Sequence, residues 1–215
     1  MSDPRWREYK AACCVTLQSK ASAADPQPEP PAKFLDRAEA ARLAAAIKAR
    51  AKPAARSGPR SEPRPKRKRK RKKKRTDRPR KLVRTVLAST QDSEAFGWQV
   101  AAEVHKRGLA TVGRKGYICD GQKYNWTIFE MHLIMLGFIG ILDFLHLLGY
   151  LYGAAQAVGG KGTERSWGLY ERWLRWAWSG QVKELVAGLR AGCAELGEPP
   201  EGCTEDDPRQ VAKRR

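Results

Sequence analysis

The chain has 215 residues, room for one domain with appendages or two small ones at about 150 residues each. With 42 Lys and Arg against 23 Asp and Glu its net charge is +19, and 41% hydrophobic residues suffice for a buried core, which excludes wholesale disorder, a collagen-like chain and a disulfide-stapled scaffold. Eleven positive charges fall within twelve residues, and the other 203 carry +8, ordinary for a protein that meets nucleic acid.

In chain order, MSDPRWREYK lacks the charged-then-apolar pattern of a signal peptide and predicts a cytoplasmic chain. Residues Trp6 to Leu17 (WREYKAACCVTL) end in β-branched and cysteine residues and predict a strand, which DPQPEPP interrupts. Asp36 followed by Glu39 has the spacing of a capping box, so DRAEAARLAAAIKARA predicts a helix stopped by Pro53.

Residues 53–80 hold five prolines and the basic tract: Arg64, Lys66, Arg67, Lys68, Arg69, Lys70, Arg71, Lys72, Lys73, Lys74 and Arg75, broken only by Pro65. Self-repulsion and the near absence of apolar side chains predict a disordered loop. Such a tract is a sequence-independent phosphate binder, although a solvated charge run has the same composition.

KLVRTVLAST, from Lys81, predicts a second strand. Ser93 is placed to cap a helix in which Phe96, Val100 and Val104 recur at i, i+4 and i+8, ended by Gly108. GYIC predicts a strand stopping at Asp120-Gly121, and GFIGIL another stopping at Asp143, followed by Phe144, Leu145, Leu148, Leu151, Tyr152 and Ala155 at helical spacing. The apolar stretch Met131 to Gly160 is split by Asp143 into runs of 12 and 17 residues. Both fall short of the about 20 residues that span a bilayer, and a mid-bilayer carboxylate is costly, so a buried strand and helix fit better than a membrane span.

Thr163 opens a further helix with Trp167, Tyr170, Leu174 and Ala177 on one face, and Val182, Leu185, Val186, Leu189 and Cys193 continue as another. Trp167, Tyr170, Trp173, Trp176 and Trp178 are too dense for one core stripe, which leaves about half to stack on bases or on a partner. The tail after Gly197 is polar and predicts no fixed structure. The organisation expected is thus 1–52, strand and helix; 53–80, basic loop; 81–160, core strands and helices; 161–197, a Trp-rich helical pair; 198–215, tail.

Five cysteines without CxxC spacing, together with His105, His132 and His146, make no zinc pattern. Chemistry concentrates instead on the two strand-ending aspartates. If their strands are parallel neighbours, Asp120 and Asp143 share one sheet edge, where α/β proteins gather functional groups and where hard oxygens suit Mg²⁺. On spacing alone Asp120 before Gly121 reads more readily as a turn residue; Asp143 between apolar runs needs a partner or a capping role; His146 lies three residues on, where a hydrogen bond to Asp143, a place near a metal, a phosphate contact and an isolated satisfied histidine all stay open.

The segments WREYKAACCVTL, FLDRAEAARLAAAIK, KLVRTVLAST, GYICDGQKYNWTI, ILDFLHLLGYLYGAAQAV and the Trp-rich helix resemble the ISKra group of bacterial insertion-sequence transposases. DGQKYNWTI and ILDFLH are the most specific motifs, and the likeness runs over nearly the whole chain apart from the Lys/Arg tract. The resemblance implies an RNase H-like core of a DDE transposase that cuts and joins DNA with Mg²⁺, with Asp120 as the second catalytic aspartate and metal ligand. Asp143 and His146 match an auxiliary DxxH pair. The family's Asp-Gly-Gly strand lies before the WRE segment and its ESxIK-like glutamate beyond EDDP, whereas here Trp6 has five residues before it and the last residue is Arg215. The expectation is a truncated, catalytically inert fragment with a partial RNase H-like mixed sheet, DNA as partner, and full-length transposase or missing fragments as further partners. A small basic nucleic-acid-binding protein acting without catalysis is the rival reading.

Overall fold

A computed structural model describes residues 9–19, 22–51, 79–204 and 207–213. The basic tract and Trp6 lie outside these. The protein is mixed α/β, with two sheets of two strands each among the described residues. The chain divides into two compact units, one drawn from Met1–Ser22, Ala54–Tyr117 and Gln122–Gly140, the other from Ala23–Pro53, Ile118–Gly121 and Ile141–Arg215. The expected 1–52 and 81–160 segments are therefore each shared between units, with the first strand in one and the first helix in the other.

In the first unit, β1 (Lys10–Leu17) and β2 (Lys81–Ser89) pair antiparallel, Lys10 opposite Ser89 and Cys13 opposite Val86. Helix α2 (Ser93–Lys106) covers one face, where Phe96, Val100 and Ile128 form a small core with Ala12 and Leu87 packed on it. Its N-cap is Asp92, whose carboxylate accepts from Ala95 N at 2.8 Å, so Ser93 opens the helix instead of capping it as expected. Both residue types cap well, and the backbone path decides which sits one position before the first turn. Gly108, at φ 63, ends the helical segment in the left-handed conformation that glycine adopts without steric cost. Arg107, just before it, donates to Cys14 O at 2.7 Å and to the Thr16 hydroxyl, tying the helix end to β1.

The chain then runs through α3 (Lys123–Ile128), a π-helical turn Phe129–Leu133 and a 3₁₀ turn Ile134–Leu136. His132 in the π turn is buried, with its ring 4.5 Å from that of Trp98. A Cβ at Gly97 would lie 2.8 Å from the same imidazole, so the close approach requires glycine there.

The second unit is helical: α1 (Arg37–Ala51), α4 (Phe144–Gly159), α5 (Glu164–Trp178), α6 (Val182–Leu196) and α7 (Pro208–Lys213). Asp36 accepts from Glu39 N at 2.8 Å, half of the expected capping box; the Glu39 carboxylate turns to Arg42 instead of back to the cap. Thr163 caps α5 by accepting from Ser166 N. Tyr170, Trp173, Leu174, Leu148 and Leu151 are almost wholly buried in one core. α7 falls within the tail expected to lack structure; it packs on α4 and α6, contacts that an 18-residue polar segment does not advertise.

The five clustered aromatics also differ from expectation, since none is left as an open stacking platform. Tyr170 and Trp173 are core, Trp167 packs on Tyr170 and beneath the Arg37 guanidinium, and Trp176 lies under Arg172. Trp178 meets Phe34 and Phe144 and donates to Gln27 O at 3.0 Å. A turn-rich segment carrying Phe34 supplies the partners, so one helix presents aromatics on more than one packed face. No helix of the described residues is long and apolar enough to cross a membrane.

Candidate functional site

Strands β3 (Gly116–Cys119) and β4 (Ile139–Leu142) set the geometry. Ile139 N donates to Lys115 O at 3.1 Å and Asp143 N to Cys119 O at 2.7 Å, so residue numbers rise together on both strands and the pair is parallel. Asp120 and Asp143, each directly after its strand, therefore stand at the same sheet edge, the arrangement expected if the two strands are parallel neighbours.

Asp143 has two engagements. One oxygen accepts from Leu145 N at 2.9 Å and caps α4; the other lies 3.0 Å from His146 Nδ1. Because a carboxylate only accepts, Nδ1 carries the hydrogen, which leaves Nε2 as the second polar atom of the ring. His146 and Asp143 side chains are 25% and 37% exposed, so this pair is accessible from solvent. Beside it, Cys119 is buried, and burial first, then the charge of Asp120, push its thiol up. All five cysteines are free thiols.

Sequence reasoning passed over Tyr150. A Cβ built on Gly121 would lie 3.6 Å from Tyr150 Cε2 and 3.8 Å from its hydroxyl oxygen, so the phenol borders the Asp120-Gly121 link. Tyr150 follows His146 by four residues on α4, hence on the same helical face. That spacing was the available signal; it carries meaning only once β3 is known to lie alongside. Gly121 has no positive φ, so the Asp-Gly pair is not a left-handed turn.

A cavity of about 490 Å³ in the first unit is lined by Ser93, Glu94, Gln122, Lys123, Tyr124, Thr127, Ile128, Met131 and His132. None of Asp120, Asp143 or His146 lines it.

The donors at the β3–β4 edge do not fit a resident Mg²⁺. Among the described residues no three His, Cys, Asp or Glu side chains assemble as metal ligands, and both Asp143 oxygens are engaged within the protein. Asp120 is the other carboxylate of this edge, and a near-octahedral Mg²⁺ shell would draw most of its oxygens from outside it. This edge gathers an imidazole and a phenol beside two carboxylates. Compared with protein-family models, curated proteins and solved structures, the chain matches none.

Proposed function

We propose that this chain is part of an RNase H-like DDE transposase that binds DNA without cutting it by itself. The observation that carries the reading is the common edge of Asp120 and the Asp143–His146 pair, at the carboxyl ends of two parallel strands. It is supported by the combination of an antiparallel pair, β1–β2, with a parallel pair, β3–β4, the two strand directions that a mixed sheet contains. Ile118 and Ile139 are 67% and 68% exposed, although parallel strands are ordinarily covered on both faces. This agrees with a sheet that is completed by further protein.

Asp120 takes the place of the second catalytic carboxylate, and Asp143 orients the His146 ring through Nδ1. Only one of the three DDE carboxylates is matched in the sequence, so strand cleavage is not expected. Mg²⁺ enters only as the ion the resemblance implies. Incubation with labelled insertion-sequence terminal DNA and Mg²⁺ or Mn²⁺ is expected to give a retained complex and no cut strand. Metal-dependent cleavage abolished by Asp120→Asn would overturn the inert reading.

The second reading, a basic nucleic-acid-binding protein without any transposase role, is favoured by the +19 charge and its concentration in Arg64 to Arg75. Under it, affinity follows the tract and is indifferent to Asp143 and His146.

A further inference from the structure

The cavity of the first unit lies where the first turn of α2 meets α3 and the π-helical turn. Its surface is mostly apolar, with buried Ile128 and His132 and exposed Met131 as a floor. Trp98 borders it: the indole lies 4.5 Å from the His132 ring, follows the lining residue Glu94 by four positions on α2, and is 61% exposed. Two opposite charges complete the lining, Glu94 from α2 and Lys123 from α3, both exposed. At about 490 Å³ the space falls within the about 300–1,000 Å³ that holds a small organic ligand.

We propose that this cavity binds a nucleoside monophosphate unit, its heteroaromatic ring on the apolar floor and its phosphate at the Lys123 ammonium. Each part of that ligand has a counterpart here. A flat ring offers apolar faces to Ile128, to the polarizable Met131 thioether and to an exposed indole at the rim. A lysine ammonium is a compact charge suited to phosphate. The Glu94 carboxylate only accepts, so it selects rings with an exocyclic amino group, such as cytosine, over thymine, which has none. A simple anion would leave the floor unused and meet Glu94, and an uncharged apolar ligand would leave both charges unused. The unit arrives either as a free nucleotide or as an unpaired nucleotide of a strand. None of this draws on the β3–β4 edge or on the transposase reading.

The test titrates the full chain calorimetrically with dCMP, dTMP and deoxycytidine at moderate salt, where phosphate contacts of the basic tract are strongly weakened. Saturable binding of dCMP is expected, roughly tenfold tighter than that of the other two, the size of one hydrogen bond to a charged group. Lys123→Gln should weaken dCMP about tenfold and leave deoxycytidine unchanged, and Glu94→Gln should bring dCMP and dTMP level. Both side chains are exposed, so melting temperatures should hold. Thr127→Trp, which fills the cavity from an exposed position, should abolish dCMP binding. A single-stranded deoxycytidine oligonucleotide separates the two sources: competition with dCMP that Lys123→Gln weakens assigns the site to a strand, and no competition assigns it to a free nucleotide. Absence of saturable dCMP binding overturns the proposal. Affinity that none of the three substitutions changes also overturns it, because the nucleotide is then held elsewhere, and either result leaves the transposase reading standing.

Discussion

Two side chains show how position sets the behaviour of a residue type. Asp143 has a carboxylate like any other, yet its place between a strand and a helix N-terminus gives one oxygen to Leu145 N and the other to His146. Tyr170 is almost wholly buried and donates to Phe34 O at 3.1 Å; burial, with a smaller contribution from Tyr152, pushes its phenol up to about 12 from 10.0. The folded state therefore holds this proton more tightly than the unfolded chain. Stability from Tyr170 is complete below pH 10 and is lost as pH rises towards 12, because there the unfolded state ionises first. Urea midpoints followed through this range should fall, and Tyr170→Phe should flatten the fall. A fall of equal size in that variant would assign the effect to other groups.

At the scale of elements, the first unit depends on few contacts. A two-stranded sheet is marginal without a covering layer, and α2 covers only one face of β1–β2. The other face leaves Leu82 and Val86 more than half exposed. Arg107 reinforces this thin arrangement, since its guanidinium bonds Cys14 O and the Thr16 hydroxyl and reaches Thr85 Oγ1 and Val83 O at 3.5 Å. A flexible aliphatic chain leaves those acceptors without a donor. Arg107→Met is expected to cost about 1–3 kcal/mol, comparable to losing hydrogen bonds from a charged donor. Faster amide exchange in both β1 and β2 would locate the loss, and exchange unchanged in these strands would count against the bracing role.

For the whole molecule, charge and architecture are separable. Eleven of the 42 basic residues sit in one tract, whereas the motif-bearing edge is built from β3, β4 and α4. If the tract engages six or more phosphates, DNA affinity should drop by about 10³-fold or more between 50 and 200 mM salt. Replacing the tract's Lys and Arg by Ser should remove most of that dependence and leave a weaker, less salt-sensitive complex through the Asp143–His146 edge. An unchanged slope would show that the tract is not the main contact. Complete loss of binding would favour the purely basic nucleic-acid binder over the transposase reading.

Features whose partners lie within four residues were legible in the sequence. The Asp36–Glu39 spacing, the Thr163 cap, the Phe96/Val100/Val104 stripe and the Asp143–His146 pair all follow from the helical period, which places i, i+3 and i+4 together wherever a helix forms. The strand ends at Cys119 and Leu142 follow from short apolar runs meeting a charge. Tertiary structure decided what joins distant segments: the parallel pairing of β3 with β4, Tyr150 beside Gly121, the choice of Asp92 over Ser93 as cap, the full use of the Trp-rich helix in packing, and the order of α7. Such contacts depend on how separate surfaces fit together, and a side chain's type says what it can bond but not which distant atom will be brought within reach.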